Sequence, residues 1–149
     1  MANTPGSPTM LGHLALRVRD VDRAVTFYRD VLGLGLKGRP GPKMAFLGNR
    51  ADASHELALF QLPADAAGPD PARVGLYHMA WEMASVEDLE KLHARLIEHK
   101  AEIVGYSDRQ CNVMFLDPDG NELEAIYEPS PEEEARLKAT GQPMPTLKH

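Results

Sequence analysis

Two histidines begin similar stretches, His13-Leu14-Ala15-Leu16 and His78-Met79-Ala80-Trp81, and a single carboxylate, Glu124, interrupts the apolar run Leu123-Glu124-Ala125-Ile126-Tyr127. Two imidazoles and one carboxylate are the donor set of the facial triad that holds Fe(II) and leaves coordination positions open. Mn(II) or Zn(II) is accommodated by the same donors. Taken one at a time these residues are ordinary: either histidine can be a satisfied core or surface side chain. A strand glutamate is paired, exposed at an edge, or bound to a metal. The elements that carry them decide which reading gains.

Those elements repeat. His13 and His78 lie 65 positions apart, and so do the helix-capping candidates Asp20 and Ser85 (78 − 13 = 85 − 20 = 65). In the first copy, alternation from Met10 to Val18 predicts a strand with His13, Ala15 and Arg17 on one face. A helix follows from Val21 to Leu32 and stops at Gly33. Short strands are expected at Gly35–Lys37 and Met44–Leu47, parted by the breaker-rich segment 38–42, and a fourth at His55–Leu62. The second copy has a strand at Leu76–Met83 and a helix whose apolar face is Val86, Leu89, Leu92, Leu96 and Ile97. Strands then follow at Glu102–Tyr106, Asn112–Leu116 and Glu122–Tyr127. Asp117-Pro118-Asp119-Gly120 turns the last hairpin, because proline presets φ and glycine supplies a positive one. Each copy therefore reads β-α-β-β-β, and a shared offset across strand start and helix cap marks an internal repeat. If the copies are related by a pseudo-twofold, His13 and His78 meet and Glu124 joins them.

The expected organisation is an arm at 1–9, one domain at 10–128, and a tail at 129–149 with a short helix near Glu132–Ala139. Within the domain, module one is 10–62, a linker rich in Pro, Ala and Asp is 63–73, and module two is 74–128. A net charge of −6 argues against nucleic acid or an anionic membrane as partner. One cysteine, Cys111, rules out an internal disulfide and a cysteine-cluster zinc site. No basic n-region or apolar h-region is seen at the N-terminus, and cytoplasmic location is the default expectation. His93 and His99 fall on the polar side of the second helix and are expected in solvent, with His149 at the terminus. Trp81 and Cys111 are read as packing residues.

The motifs His13-Leu14-Ala15-Leu16-Arg17-Val18-Arg19-Asp20, the helix segment from Ala24 to Leu34, and Asp117-Pro118-Asp119-Gly120-Asn121 with Glu124 resemble the vicinal oxygen chelate superfamily. That group includes glyoxalase I, bleomycin-resistance proteins, fosfomycin-resistance enzymes, methylmalonyl-CoA epimerase and extradiol catechol dioxygenases. The resemblance covers about Leu11 to Glu128. It implies an α+β fold in which two tandem β-α-β-β-β modules form a cupped eight-stranded mixed sheet with helices outside. It also implies one divalent metal on His13, His78 and Glu124, with Fe(II) first and Mn(II), Zn(II) or Ni(II) as alternatives.

Within the superfamily, Ser54-His55-Glu56-Leu57-Ala58-Leu59-Phe60 resembles the extradiol segment whose histidine acts as acid or base beside the metal, which assigns that role to His55. The implied function is an extradiol-type dioxygenase acting on a small catechol-like diol with dioxygen, as a homodimer. Two positions depart from that pattern: Met114 stands where a tyrosine is usual, and no histidine falls between Lys100 and Glu124, Tyr106 and Asp108 being the nearest polar residues. The alternatives are a glyoxalase-like isomerase or epimerase, with Glu56 as proton carrier or fourth ligand, and a drug-sequestering protein of the bleomycin-resistance type. If odd residues of the fourth strand share the site's face, His55 points there; if even residues do, Glu56 does.

Overall fold

The computed structural model describes residues 4–149, so the first three residues of the expected arm lie outside the described range. The chain divides into two compact units, Met1–Ala66 and Ala67–His149. The first contains β1 (Leu14–Val18), α1 (Val21–Thr26), β2 (Leu36–Gly41), β3 (Met44–Leu47) and β4 (Leu57–Gln61). The second contains β5 (His78–Glu82), α2 (Val86–Glu98), β6 (Ile103–Gly105), β7 (Cys111–Leu116) and β8 (Glu122–Tyr127), followed by α3 (Pro131–Thr140). The strand orders are β1-β4-β3-β2 and β5-β8-β7-β6. In each sheet the first and last strands pair parallel and the other pairings are antiparallel. A parallel pair needs a crossover, and the helix supplies it. The fold is α+β, two β-α-β-β-β modules with eight strands in two four-stranded mixed sheets.

In the first unit the Asp20 carboxylate caps α1 by accepting from the N–H groups of Asp22 and Arg23. Val21, Ala24 and Val25 are buried along one side. The helix then widens into a π-helical turn, Phe27–Val31, where Leu32 N–H reaches the Phe27 carbonyl at 3.2 Å. The wider turn brings Phe27, Tyr28, Val31 and Leu32 all into the core, with Tyr28 fully buried. Gly33, at φ 91°, ends it. The breaker-rich segment does not part β2 from β3 as expected. β2 continues to Gly41 with irregular register, and it is an edge strand, the place in a sheet where proline is tolerated.

In the second unit Ser85 Oγ accepts from Asp88 N–H and donates to Asp88 Oδ2, both at 3.1 Å, a reciprocal cap. The buried stripe of α2 is Leu89, Leu92, His93 and Leu96, a spacing of three and four that makes one helix face. His93 is therefore not in solvent as its polarity suggested. It sits in the stripe, and its Nε2 lies 2.8 Å from the Tyr106 hydroxyl, which satisfies the buried nitrogen. Ile97, assigned to the apolar face, falls past the stripe's edge and is 59% exposed. The tail is less polar in its contacts than in composition: Leu137 and Leu147 are buried, and the His149 ring stacks on Tyr106 at 3.9 Å. Among the described residues no helix is long and apolar enough to cross a membrane.

The β7–β8 hairpin is built as its sequence requires. Asp117 Oδ1 accepts from the N–H groups of Asp119 and Asn121, and Oδ2 accepts from Asn121 Nδ2. Gly120 has φ 88° and donates its N–H to the Asp117 carbonyl. This lock fixes where β8 starts, and so which residues lie opposite β5 and β7.

Candidate functional site

In the second unit His78 is opposite Glu122 and Ala80 is opposite Glu124 across the parallel β5–β8 pair. Alternation puts His78, Ala80, Glu122 and Glu124 on one face of the sheet, opposite to the face of Met79, Leu123 and Ala125. His78 Nε2 is 3.3 Å from Glu124 Oε2, and its Nδ1 is 3.9 Å from Glu122 Oε1. His78 Nδ1 is buried without a hydrogen-bond partner. Glu124 is 8% exposed. A buried carboxylate oxygen facing an imidazole nitrogen needs a shared proton or a shared cation between them. The chemistry of this donor pair therefore fits a divalent ion as well as it fits an ion pair.

In the first unit His13 precedes β1 and is exposed. Its ring centroid lies 4.6 Å from that of His55. His55 stacks on Phe46 at 4.3 Å and 10°, and the Ser54 hydroxyl lies 3.0 Å from its Nδ1. β4 begins only at Leu57, so His55 lies ahead of the regular pleat and is free to turn onto Phe46. Glu56 is turned elsewhere: its Oε2 accepts from Asn49 N–H at 2.7 Å and Arg50 N–H at 2.9 Å. Gly48 makes the room, since a Cβ there would come within 2.3 Å of Glu56 Oε2. The carboxylate is a loop clamp.

His78 and Glu124 are thus brought together in one unit, and His13 and His55 in the other. Among the described residues no group of three or more His, Cys, Asp or Glu side chains forms a metal-holding cluster. Met114 is opposite Glu124 on β7, and Tyr106 is committed to His93. Cys111 is buried, and burial first, then the charge of Glu90, pushes its thiol above the ordinary value, which suits a packing role.

Three neighbours were not read from the sequence. Asn112, 2% exposed, donates from Nδ2 to Glu124 Oε1 and accepts at Oδ1 from Ser107 N–H at 2.8 Å. Phe46 and Glu122 are the others. Asn112 left a signal: it is the one polar side chain in Cys111-Asn112-Val113-Met114-Phe115-Leu116, a strand of otherwise apolar residues.

The chain matches the family model of the Glyoxalase/Bleomycin resistance protein/Dioxygenase superfamily over residues 10–125. It is 30% identical over 119 residues to the catechol-2,3-dioxygenase of Bacillus subtilis strain 168, covering 78% of this chain and 40% of that protein. It thus spans less than half of that dioxygenase's length. It is 32% identical over 117 residues to the glutathione transferase FosA of Serratia marcescens, covering 76% of this chain and 77% of FosA. A solved glyoxylase/bleomycin resistance protein/dioxygenase domain from Frankia sp. EAN1pec superposes with a TM-score of 0.69 at 25% identity, over 83% of this chain and 100% of that domain.

Proposed function

The chain belongs to the Glyoxalase/Bleomycin resistance protein/Dioxygenase superfamily, and from that premise we propose that it is a metal-dependent, extradiol-type dioxygenase acting on a small catechol-like diol. His13, His78 and Glu124 hold one divalent ion, Fe(II) first. Such an ion supplies a Lewis acid with open positions for two adjacent substrate oxygens and for dioxygen.

The observation that carries the reading is the setting of His55. Its imidazole lies against His13 and flat on Phe46, with Ser54 at Nδ1. That leaves Nε2 to take a proton from a substrate hydroxyl and return it. Phe46 holds the ring plane, so the proton carrier is oriented before substrate arrives.

The isomerase alternative has less support. Its proton carrier, Glu56, accepts two backbone N–H bonds. The position in the first unit equivalent to Glu124 is Ala58, since Ala15 pairs with Ala58 as Ala80 pairs with Glu124. A three-ligand centre follows, not a four-ligand one. A thiol-transfer reading is favoured by one observation, the 77% coverage of FosA. A homodimer belongs to the same proposal and rests on the family; a monomer in sedimentation velocity at micromolar concentration would count against it.

The deciding experiment is metal analysis of anaerobically purified protein, followed by oxygen uptake with a panel of catechols. Parallel assays follow hemithioacetal isomerisation and glutathione consumption. Fe(II)-dependent uptake with at least one catechol is expected. Bound metal with no uptake for any diol, and turnover in another assay, would replace the dioxygenase reading.

A further inference from the structure

Glu124 has two oxygens, and they are treated differently. Oε2 faces His78 at 3.3 Å, while Oε1 accepts a hydrogen bond from Asn112 Nδ2. The Asn112 amide cannot turn over freely, because its Oδ1 accepts from Ser107 N–H at 2.8 Å. A flipped amide would face Ser107 N–H with its own donor. Asn112 is buried, so no solvent competes for either end.

The other unit supplies the contrast. Phe46 pairs with Ala58 as Met114 pairs with Glu124, and Met44 pairs with Phe60 as Asn112 pairs with Ile126. Where the first unit has Ala58 in place of the carboxylate, it has Met44 in place of the amide. The donor is found only in the copy that has a carboxylate to orient.

We infer that Asn112 is a positioning residue for Glu124. It occupies Oε1, so that the carboxylate presents Oε2 alone, as a one-oxygen ligand, and leaves a coordination position for substrate. The inference rests on the reading of Glu124 as a metal ligand. Partners of this kind orient a ligand before the metal arrives, and losing one weakens metal affinity about ten- to a hundred-fold.

The amide's two ends allow its roles to be separated. Asn112→Asp keeps an acceptor for Ser107 N–H and removes the donor to Glu124. Asn112→Ala removes both and serves if the aspartate variant does not fold. Wild type and variants are titrated with Co(II), and affinity is read together with the visible Co(II) spectrum, at a temperature where circular dichroism shows each folded without metal. The expected result is a ten- to a hundred-fold weaker affinity with a changed spectrum, as Glu124 turns or binds through both oxygens. Affinity within about threefold of wild type, or a weaker affinity with an unchanged spectrum, would overturn the inference while the metal reading stands. A wild-type protein that binds no Co(II) would overturn both.

Discussion

The two units have the same strand order and the same pairing directions, yet the matching positions carry opposite chemistry. On the second unit's His78 face, the central positions are Glu122, Glu124 and Asn112 beside the histidine. On the first unit Ala58 matches Glu124, Met44 matches Asn112 and Phe46 matches Met114, and the one comparable carboxylate, Glu56, is tied to a loop. A duplicated module needs its carboxylate only once if one metal is held. The copy freed of it has an aromatic surface on which an imidazole is stacked and oriented. On the proposed reading the second unit holds the charge and the first moves the proton.

The strongest way to break this division is to make the second unit like the first. Glu124→Ala gives it the residue found at Ala58, and it should lower metal content from about one per chain to near zero, because two ligands seldom retain a divalent ion. His78→Ala should do the same. Both are read by elemental analysis after anaerobic metal loading and desalting. Full occupancy in Glu124→Ala would make the carboxylate dispensable and remove the distinction between the copies.

The next effect belongs to the first unit. His55→Ala should keep the metal but lose about 10²–10⁴-fold in catechol-dependent oxygen uptake, the range for a positioned acid–base group. Wild-type turnover in that variant would sink the assignment. Glu56→Gln should leave turnover and metal alone and instead lower stability by about 1 kcal/mol. The amide keeps one acceptor for the Asn49 and Arg50 N–H groups and loses the charge that strengthened both bonds. Chemical denaturation measures it. A large loss of activity in Glu56→Gln with stability unchanged would favour the isomerase reading.

Much of this was legible in the sequence because it is local. The cap at Asp20, the reciprocal cap at Ser85, the stop at Gly33 and the Asp117–Gly120 turn are each set by a few adjacent side chains and their backbone bonds. The 65-residue offset then revealed the repeat. What stayed hidden depends on partners distant along the chain. Whether His55 or Glu56 turns toward His13 is decided by the loop at Gly48–Arg50 and by where β4 begins, and alternation alone left both open. Asn112 gains meaning only from Glu124 on the neighbouring strand. His93 was assigned to solvent by residue type, although its spacing from Leu89, Leu92 and Leu96 already put it on the buried stripe.

That histidine gives the smallest expected effect, and one confined to the second unit. Burial, and then the nearby charge of His149, hold the His93 imidazole below its ordinary value of 6.5. As pH falls, the unfolded chain therefore takes up this proton before the folded chain does. The contribution is intact above about pH 6.5 and declines as pH drops toward the folded value. For one group the slope cannot exceed about 1.4 kcal/mol per pH unit. The seat of α1 in the first unit, Val21, Ala24, Val25 and Tyr28, contains no group that titrates in this range. Acidification from pH 7 to 5 should then loosen amide protection in α2 and around Tyr106 before it affects α1, as read by hydrogen exchange. His93→Gln should flatten that decline, and removal of His149 should make it shallower by taking away the second cause. Equal loosening of both helices in wild type, unchanged by His93→Gln, would show that the acid sensitivity lies elsewhere and that the two units differ only on the faces that carry His13 and His78.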